Sequence, residues 1–214
     1  MKTKILSISA VVFGLLLLSI HHLGYSFGDD LFRWAGIPPW TDIGSKTGLH
    51  LPVVAAIVLL IFGIRGIVRI YQPVYPKILS RTLLTCAAFI FIFPFLSAQT
   101  LYLLKYNSTG ISSVDYSTKD SRCSYQSEGK KVKAMCSLNI YNYGKEERIN
   151  IRPLDIDSYT PVVYEPQSVS VSPRSQTLLG TVFYGELQEG SGVQGWSSAI
   201  GVEIEVGGVT KRYE

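Results

Sequence analysis

The hydrophobic pattern of the chain changes once, close to residue 105. Before that point three stretches contain no Asp, Glu, Lys or Arg: residues 5–27, 47–64 and 82–104, the second staying apolar as far as residue 70. A helix rises about 1.5 Å per residue, so roughly 20 apolar residues cross about 30 Å of hydrocarbon. The pattern predicts a membrane domain of residues 1–104 with three transmembrane helices, at about 5–27, 49–70 and 82–104.

Beyond residue 105 apolar residues recur at every second position. Val132 to Ile140 is the longest such run, and shorter ones lie at residues 149–151, 169–171, 178–183 and 200–206. Alternation of this kind is typical of half-buried strands, and Gly, Ser, Pro and Asn residues separate the runs as turns. About seven short strands in residues 105–214 predict one antiparallel β-sandwich, Ig-like in fold. The fold class is therefore membrane α plus all-β.

Two glycines, Gly207 and Gly208, separate the last two alternating runs. A Gly-Gly pair readily takes the positive φ of a two-residue hairpin turn, so the last two strands are predicted to pair across it. The final strand is then expected at the edge of a sheet. There Lys211 and Arg212 would keep it from pairing with other chains.

Basic residues are concentrated at two places in the first half of the chain. Residues 1–104 hold eight Lys or Arg and three acidic residues, whereas residues 105–214 hold twelve and thirteen. Six of the eight lie at the N-terminus or around the link between the second and third spans: Lys2, Lys4, Arg65, Arg69, Lys77 and Arg81. Because cytoplasmic segments carry the excess of Lys and Arg, the N-terminus is predicted in the cytoplasm. The loop 28–48 and the β-domain are predicted outside.

The charge pattern also bears on location and partners. The chain is expected to be a multi-pass protein of the plasma membrane, with the lipid bilayer as one partner. The net charge of +4 comes from the membrane half, since residues 105–214 carry one more acidic than basic residue. No basic domain is therefore available to bind nucleic acid, and none is expected as a partner.

The first apolar stretch has a second interpretation as a cleaved signal peptide. Lys2 and Lys4 form a basic start, residues 5–18 an apolar centre, and the small residues Gly24 and Ser26 suit a peptidase. The apolar run continues to residue 27 and contains no Ala-x-Ala, which favours a retained helix. Cleavage would leave two spans without changing the side on which any segment lies.

Arg65 and Arg69 are four residues apart and therefore share one face of the second predicted helix. Long basic side chains near the end of a membrane helix extend toward the lipid headgroups. Contacts with lipid phosphates are predicted for both arginines. A specific site for an anionic lipid or a partner protein is the sharper alternative.

All three histidines, His21, His22 and His50, fall at the predicted outer membrane surface, close to the acidic residues of the loop 28–48. Imidazole and carboxylate groups bind zinc and related ions, which makes these histidines the candidate metal ligands. Their spacing matches no metal motif, and adjacent residues on a helix point about 100° apart. We therefore expect neither a metal nor a cofactor.

Cys123 and Cys136 lie in the half of the chain predicted outside, where disulfides persist. They flank a turn at Gly129 and Lys130 at equal distance, so an antiparallel hairpin sets them opposite each other. A structural disulfide between them is predicted. A register shift of one residue would place the two sulfur atoms on opposite faces of the sheet.

Trp196 lies in the Gly- and Ser-rich stretch 190–198, which we expect to be a loop. An exposed Trp is a candidate recognition anchor, since Trp is frequent among the residues that dominate binding energy. The alternative is that its ring covers one end of the β-domain core.

No catalytic residue is assigned, and the chain is not expected to be an enzyme. It contains no phosphate-binding glycine loop, no Cys-x-x-Cys and no His-Glu-x-x-His. The β-domain has no histidine, which removes the commonest general base from the predicted soluble part.

The predicted function is a membrane-anchored extracytoplasmic module that binds another membrane or cell-surface protein or a wall polymer. One alternative is an accessory subunit of a membrane transport or export complex, whose function lies in the helices. Spans without acidic residues disfavour independent ion transport. The other alternative is an unrecognised enzyme. Binding by the β-domain alone would favour the module, and complexes that require the helices would favour the accessory subunit.

Overall fold

The computed structural model describes residues 2–42, 47–154, 162–187, 194–198 and 200–213. The chain divides into two compact units, Met1–Ala98 and Gln99–Glu214. The first is mainly helical, and the second consists of antiparallel sheets. The division falls inside the third predicted span.

Helices dominate the first unit. In chain order its elements are α1 (Lys2–Leu18), α2 (Phe27–Trp34), β1 (Trp40–Asp42), β2 (Thr47–His50), α3 (Leu51–Tyr71) and α4 (Ile78–Leu104), whose last residues belong to the second unit. β1 and β2 form a small antiparallel sheet. Within the described residues, α3 and α4 are the two helices long and apolar enough to cross a membrane. They coincide with the second and third predicted spans.

The helix predicted at residues 5–27 is shorter than expected, because α1 ends at Leu18. The chain then turns: the N–H of His21 donates to the carbonyl of Tyr25, and Gly24 takes a φ of +97°. Residues with a side chain rarely adopt such a φ, so the glycine permits the turn. The absence of charged residues therefore does not show how far the helix extends. The turn at residues 21–25 prevents it from continuing to residue 27.

The segment 28–48, predicted as an outer loop, lies partly in regular structure. Ser26 caps α2: its hydroxyl accepts the N–H of Asp29 at 3.0 Å, and the Asp29 carboxylate accepts the N–H of Ser26 at 3.1 Å. This reciprocal pair is a capping box, which satisfies donors that the first helical turn leaves free. The prediction of a loop is wrong for α2 and for β1, and Ser26-x-x-Asp29 was the sequence signal for the helix.

Small residues bring α1 and α3 into close contact. A Cβ atom added to Gly63 of α3 would lie 2.7 Å from Cγ2 of Val11 and 2.8 Å from the backbone oxygen of Ser7. On α1, a Cβ atom added to Gly14 would lie 3.0 Å from the backbone oxygen of Ala56. Small residues at such positions let two helix backbones approach closely. In contrast, no residue of α4 is buried.

The second unit begins its sheets after a single 3₁₀ turn at Ile111–Ser113. Its described strands are β3 (Val114–Glu128), β4 (Lys131–Asn142), β5 (Arg148–Pro153), β6 (Val162–Tyr164), β7 (Gln167–Ser170), β8 (Ser175–Leu187), β9 (Gln194–Ser197), β10 (Val202–Val206) and β11 (Val209–Tyr213). They form a five-stranded sheet of order β6-β8-β4-β3-β9 and a four-stranded sheet of order β11-β10-β5-β7. All neighbouring strands are antiparallel.

Both sheets contribute side chains to one hydrophobic core. The alternation predicted from Val132 to Ile140 is confirmed, because every second side chain of β4 in this run is buried. Phe183 of β8 joins them, and the four-stranded sheet contributes Ile151 and Ile204. Burying one side chain of this size stabilises a fold by about 1.5–3 kcal/mol, so this core is the main source of the unit's stability.

The predicted hairpin between the last two strands is present. Gly207 and Gly208 take φ values of +58° and +81°, and Val206 stands opposite Val209. The final strand, β11, lies at the edge of the four-stranded sheet, as expected from the sequence.

Candidate interaction surface

Trp196 lies in a strand, not in the loop predicted for residues 190–198. It belongs to β9, the edge strand of the five-stranded sheet, and stands opposite Ser124 of β3. Glycine and serine disfavour strands, but pairing with a long neighbour overrides this propensity. The indole is 77% exposed, so the ring does not cover an end of the core. Residues 190–193 of the predicted loop lie outside the described part of the chain.

Aromatic rings support both edges of this sheet. Tyr125 of β3 stands opposite Gly195 of β9, and a Cβ atom added to that glycine would lie 2.7 Å from the Tyr125 hydroxyl oxygen. At the other edge, Tyr164 of β6 stands opposite Gly185, where an added Cβ atom would lie 2.9 Å from the tyrosine Cδ1. Each ring thus lies over a glycine of the neighbouring strand and supplies packing that the glycine lacks; Gly195 is itself on an edge strand, and Gly185 is one strand in from the edge.

Cys123 and Cys136 stand directly opposite each other in β3 and β4, as the hairpin symmetry predicts. Their Cα atoms are 4.0 Å apart, the sulfur atoms are joined as a disulfide, and both side chains are buried. Cys123 also stands opposite Ser197 of β9, the residue after Trp196. The crosslink therefore holds the strand against which β9 pairs.

Trp196 belongs to a row of side chains that crosses four strands. The register places Ser124 of β3, Met135 of β4 and Val182 of β8 in this row. Residues opposite each other in an antiparallel sheet point to the same face, and so do residues two apart on one strand. We define the outer face as the apolar side chains that share this side of the sheet: Trp196, Met135, Val182, Tyr184 and Leu178.

The outer face is strongly exposed for an apolar surface. Trp196 is 77% exposed, Leu178 61%, Tyr184 55% and Met135 52%. Gly180, between Leu178 and Val182, has no atom within 4 Å of the position its Cβ would take, so the sheet is open there. Contiguous exposed apolar patches mark interaction sites, and Trp and Tyr are frequent among residues that dominate binding. The outer face is therefore the candidate interaction surface of the second unit.

Charged side chains surround Tyr184 at one end of this face. Lys133 stands opposite Tyr184, and Lys131 stands opposite Glu186. Two shallow clefts flank the ring, one of about 460 Å³ beside Glu186 and one of about 310 Å³ beside Glu128. An apolar centre with a polar rim is typical of protein interfaces.

The second unit also contains a buried carboxylate that no sequence pattern indicated. Asp115, whose side chain is 9% exposed, accepts hydrogen bonds from Nζ of Lys105 at 2.9 Å and Nζ of Lys211 at 2.7 Å. The hydroxyl of Tyr213 lies 3.1 Å away. Burial alone would raise the pKa of this carboxyl, but the hydrogen bond and charge of Lys211, followed by those of Lys105, hold the pKa below its usual value.

A second ion-pair group lies across three strands of the four-stranded sheet. Glu203 of β10 stands opposite Arg152 of β5 and Arg212 of β11, and it pairs with both. Burial alone would raise the pKa of Glu203, but the hydrogen bonds of Arg212 and Arg152 outweigh it and lower the pKa. Both basic residues predicted to protect the β11 edge, Lys211 and Arg212, are therefore held in ion pairs. Both groups join residues of different strands by ion pairs.

One motif of hydrolases does occur in the first unit, since Gly24-Tyr25-Ser26-Phe27-Gly28 spells Gly-x-Ser-x-Gly. In hydrolases this serine stands exposed on a sharp turn. Ser26 is instead 7% exposed, and its hydroxyl accepts the N–H of Asp29 as the cap of α2. The local structure gives this serine a capping role.

The structure gives the three histidines separate partners. Nε2 of His50 lies 2.6 Å from Oδ1 of Asp29. Nε2 of His21 lies 3.5 Å from Oδ2 of Asp30, and Nδ1 of His22 lies 3.0 Å from Oγ of Ser97. Among the described residues, no three His, Cys, Asp or Glu side chains come together as a metal site. The contact between His50 and Asp29 joins the start of α3 to the start of α2, which is a structural role.

Arg65 and Arg69 of α3 are exposed and border a groove between α1, α3 and the start of α4. The groove has a volume of about 800 Å³ and is lined mainly by apolar side chains, with Thr3 and Ser7 among the polar ones. In the part of the chain that the structure describes, neither arginine has a carboxylate within ion-pair distance. Their predicted contact with lipid phosphates stays a prediction.

The outer face was predicted from the sequence only through Trp196. Met135 and Val182 gave a signal, because each is apolar at a solvent-facing position of an alternating strand. Strand pairing, which the sequence does not reveal, brings them into one row with the tryptophan. Comparison of the chain with protein-family models, with curated proteins and with solved structures finds no match in any of the three.

Proposed function

We propose that this chain is a membrane-anchored extracytoplasmic interaction module that binds a protein partner through the outer face. The observation that carries the proposal is the row that brings the exposed side chains of Trp196 and Met135 onto one face of the sheet, with the half-buried Val182 next to Met135. A wall polysaccharide presents many hydroxyl groups, which need hydrogen-bond partners that Met135, Val182 and Leu178 lack. The apolar character therefore favours a protein over a polymer.

The proposal places α1, α3 and α4 across the plasma membrane, with the N-terminus in the cytoplasm and the second unit outside. α1 has 17 residues, about 26 Å, which is slightly less than the hydrocarbon thickness. A short helix is accommodated by local thinning of the bilayer and by extension of Lys2 and Lys4 to the headgroups. The close packing of Gly63 against α1 supports a retained helix rather than a cleaved signal peptide.

We also propose that the two sheets form an Ig-like sandwich. With the edge strands β7 and β9 set aside, the remaining strands take the letters A to G in chain order: β3, β4, β5, β6, β8, β10 and β11. One sheet then has the neighbours A, B, E and D, and the other C, F and G, as in constant-type immunoglobulin domains. The disulfide differs, since it joins A to B within one sheet.

Photo-crosslinking in the full-length protein tests the proposed surface. The photoreactive residue p-benzoylphenylalanine replaces Met135, which lies in the outer face. In the control it replaces Val209, which is 55% exposed on β11 of the other sheet. After irradiation of intact cells, the label at position 135 is expected to yield a defined protein adduct that the label at 209 does not. Adding Trp196→Ala should weaken the adduct roughly tenfold or more, as expected for a residue that dominates binding.

Three results would count against this function. Equal adducts from positions 135 and 209 would show that the outer face has no preference for a partner. An adduct that Trp196→Ala leaves unchanged would show that the tryptophan is not the anchor. Crosslinks to polysaccharide alone would show that the partner is a wall polymer and not a protein.

α4 favours the second candidate function, an accessory subunit of a transport or export complex. No residue of α4 is buried, and Phe91 is 84% exposed. Ser97 of α4 contacts His22, but most of the helix is exposed, and a membrane helix of this kind presents much of its surface to lipid or to another subunit. A crosslinker at Phe91 that captures a protein, even in the Trp196→Ala variant, would support this function, and capture of lipid alone would argue against it.

A further inference from the structure

We propose that the groove beside Arg65 and Arg69 binds the phosphate of an anionic phospholipid in the inner leaflet. The proposal rests on the proposed membrane insertion of α3 and is independent of the outer face. Three observations carry it: the depth of Arg65 in the helix, the absence of a counter-charge among the described residues, and the shape of the groove.

Arg65 lies well inside the length of α3. The helix Leu51–Tyr71 has 21 residues and is about 31 Å long, and Arg65 comes six residues, or about 9 Å, before its end. With α3 across about 30 Å of hydrocarbon, the Cα atom of Arg65 falls within the apolar layer. A charged side chain at this depth is costly unless it reaches the interface or meets an opposite charge.

The described part of the chain supplies no such charge. Neither Arg65 nor Arg69 takes part in any of its ion pairs. Asp29 pairs with His50, which immediately precedes α3, so this carboxylate lies at the opposite end of the helix, roughly 20 Å from Arg65. No carboxylate among the described residues offsets the charge of the two arginines, whereas the inner leaflet offers anionic phosphates at the interface that they reach.

The groove has the chemistry of a phospholipid. Its apolar wall suits an acyl chain and consists of Phe62, Ile64, Val68, Ile70 and Leu79. Polar side chains of Thr3, Ser7 and Gln72 also line it. Two guanidinium groups four residues apart on one helix face lie within reach of a single phosphate, to which each can donate two hydrogen bonds. A free phosphate would leave the apolar wall unused, whereas a phospholipid occupies both parts.

Native mass spectrometry of the full-length protein measures this binding. Samples released from bilayers of phosphatidylglycerol or phosphatidylcholine are compared, and the wild type is expected to retain phosphatidylglycerol selectively. Arg65→Gln with Arg69→Gln should weaken retention roughly 30-fold, as expected for the loss of two basic residues near the membrane surface. The matched control, Lys77→Gln with Arg81→Gln, removes the same charge from residues that do not line the groove and should retain the lipid.

A third variant keeps both arginines in place. Leu79→Trp narrows the groove without changing its charge and should reduce phosphatidylglycerol retention several-fold. Equal retention of the two lipids by the wild type, equal loss in the control pair, or full retention by Leu79→Trp would overturn the proposal. Displacement of the lipid by millimolar inorganic phosphate would instead identify a general anion site and would overturn the assignment to a phospholipid. A separate labelling of residue 75 from outside would show that the insertion itself is wrong.

Discussion

Asp115 and Lys211 lie 96 positions apart in the sequence, and their side chains meet at 2.7 Å. Lys105 reaches the other oxygen of the same carboxylate, so one buried group joins the residue after α4 to strands β3 and β11. The carboxylate is shielded from water, whereas the side chains of Lys105 and Lys211 are 27% and 47% exposed. The energy of this pairing therefore lies between that of a surface pair and that of a fully buried one.

Asp115→Asn is expected to lower the free energy of unfolding of the second unit by about 1–3 kcal/mol, since it removes the charge and leaves two lysines facing a neutral amide. Urea denaturation measures the loss. Glu205→Gln is the matched control, because Glu205 lies on β10 and has no ion pair among the described residues. Equal losses in the two variants would mean that the Asp115 network contributes nothing specific.

The same network predicts a pH dependence. The pKa of Asp115 is lowered in the folded protein, so its contribution is complete above the usual value of 3.8 and is lost as the pH falls below it. The difference in unfolding free energy between the wild type and Asp115→Asn should therefore shrink as the pH falls below about 4. A difference that stays constant or grows on acidification would contradict the assigned direction.

Removal of the disulfide is expected to destabilise the second unit by about 3 kcal/mol, the chain-entropy value for closing a loop of this size. The variant is Cys123→Ala with Cys136→Ala, and Cys86→Ala, in α4, is the control. Thermal unfolding with and without reductant measures the effect, and non-reducing peptide mapping identifies the bond. Free thiols at positions 123 and 136 in protein from native membranes would show that the pairing does not form.

The fragment 105–214 is expected to fold alone, because its sheets share one core. Its far-UV circular dichroism should show strand and negligible helix. Lys105→Gln should lower its stability by about 0.5–1.5 kcal/mol, and so should starting the fragment at residue 107, since both remove one partner of Asp115. A strongly helical spectrum, or no cooperative unfolding, would reject an independent β unit.

Periodicity predicted the parts of the fold that depend on burial. The alternation in β4 identified a strand whose apolar side faces the core, and the Gly207-Gly208 pair identified a hairpin. Composition gave a wrong prediction where local hydrogen bonds determine the structure. The apolar stretch 5–27 was predicted as one continuous helix, but Gly24 lies in a turn and Ser26 caps the next helix. The second and third spans were close to the observed α3 and α4, because no polar turn interrupts them.

The candidate surface depended on information that one strand does not contain. Trp196 was visible as an anchor, but its neighbours in the row come from β4 and β8, and only strand order brings them together. The ion pairs of Asp115 could not be predicted for the same reason, since its partners Lys105 and Lys211 lie near the two ends of the second unit. The cysteine pair was predictable because its geometry depends on a single hairpin.

The proposed function requires the second unit to lie on the extracytoplasmic side of the membrane, where its outer face can meet a partner. Single cysteines at Tyr75 and Thr210, in a Cys86→Ala background, test it with a membrane-impermeant maleimide on intact cells. Both positions are exposed in their own units, and Cys123 and Cys136 are joined to each other. This location predicts labelling at 210 in intact cells and at 75 only after permeabilisation. Labelling at 75 without labelling at 210 would contradict it.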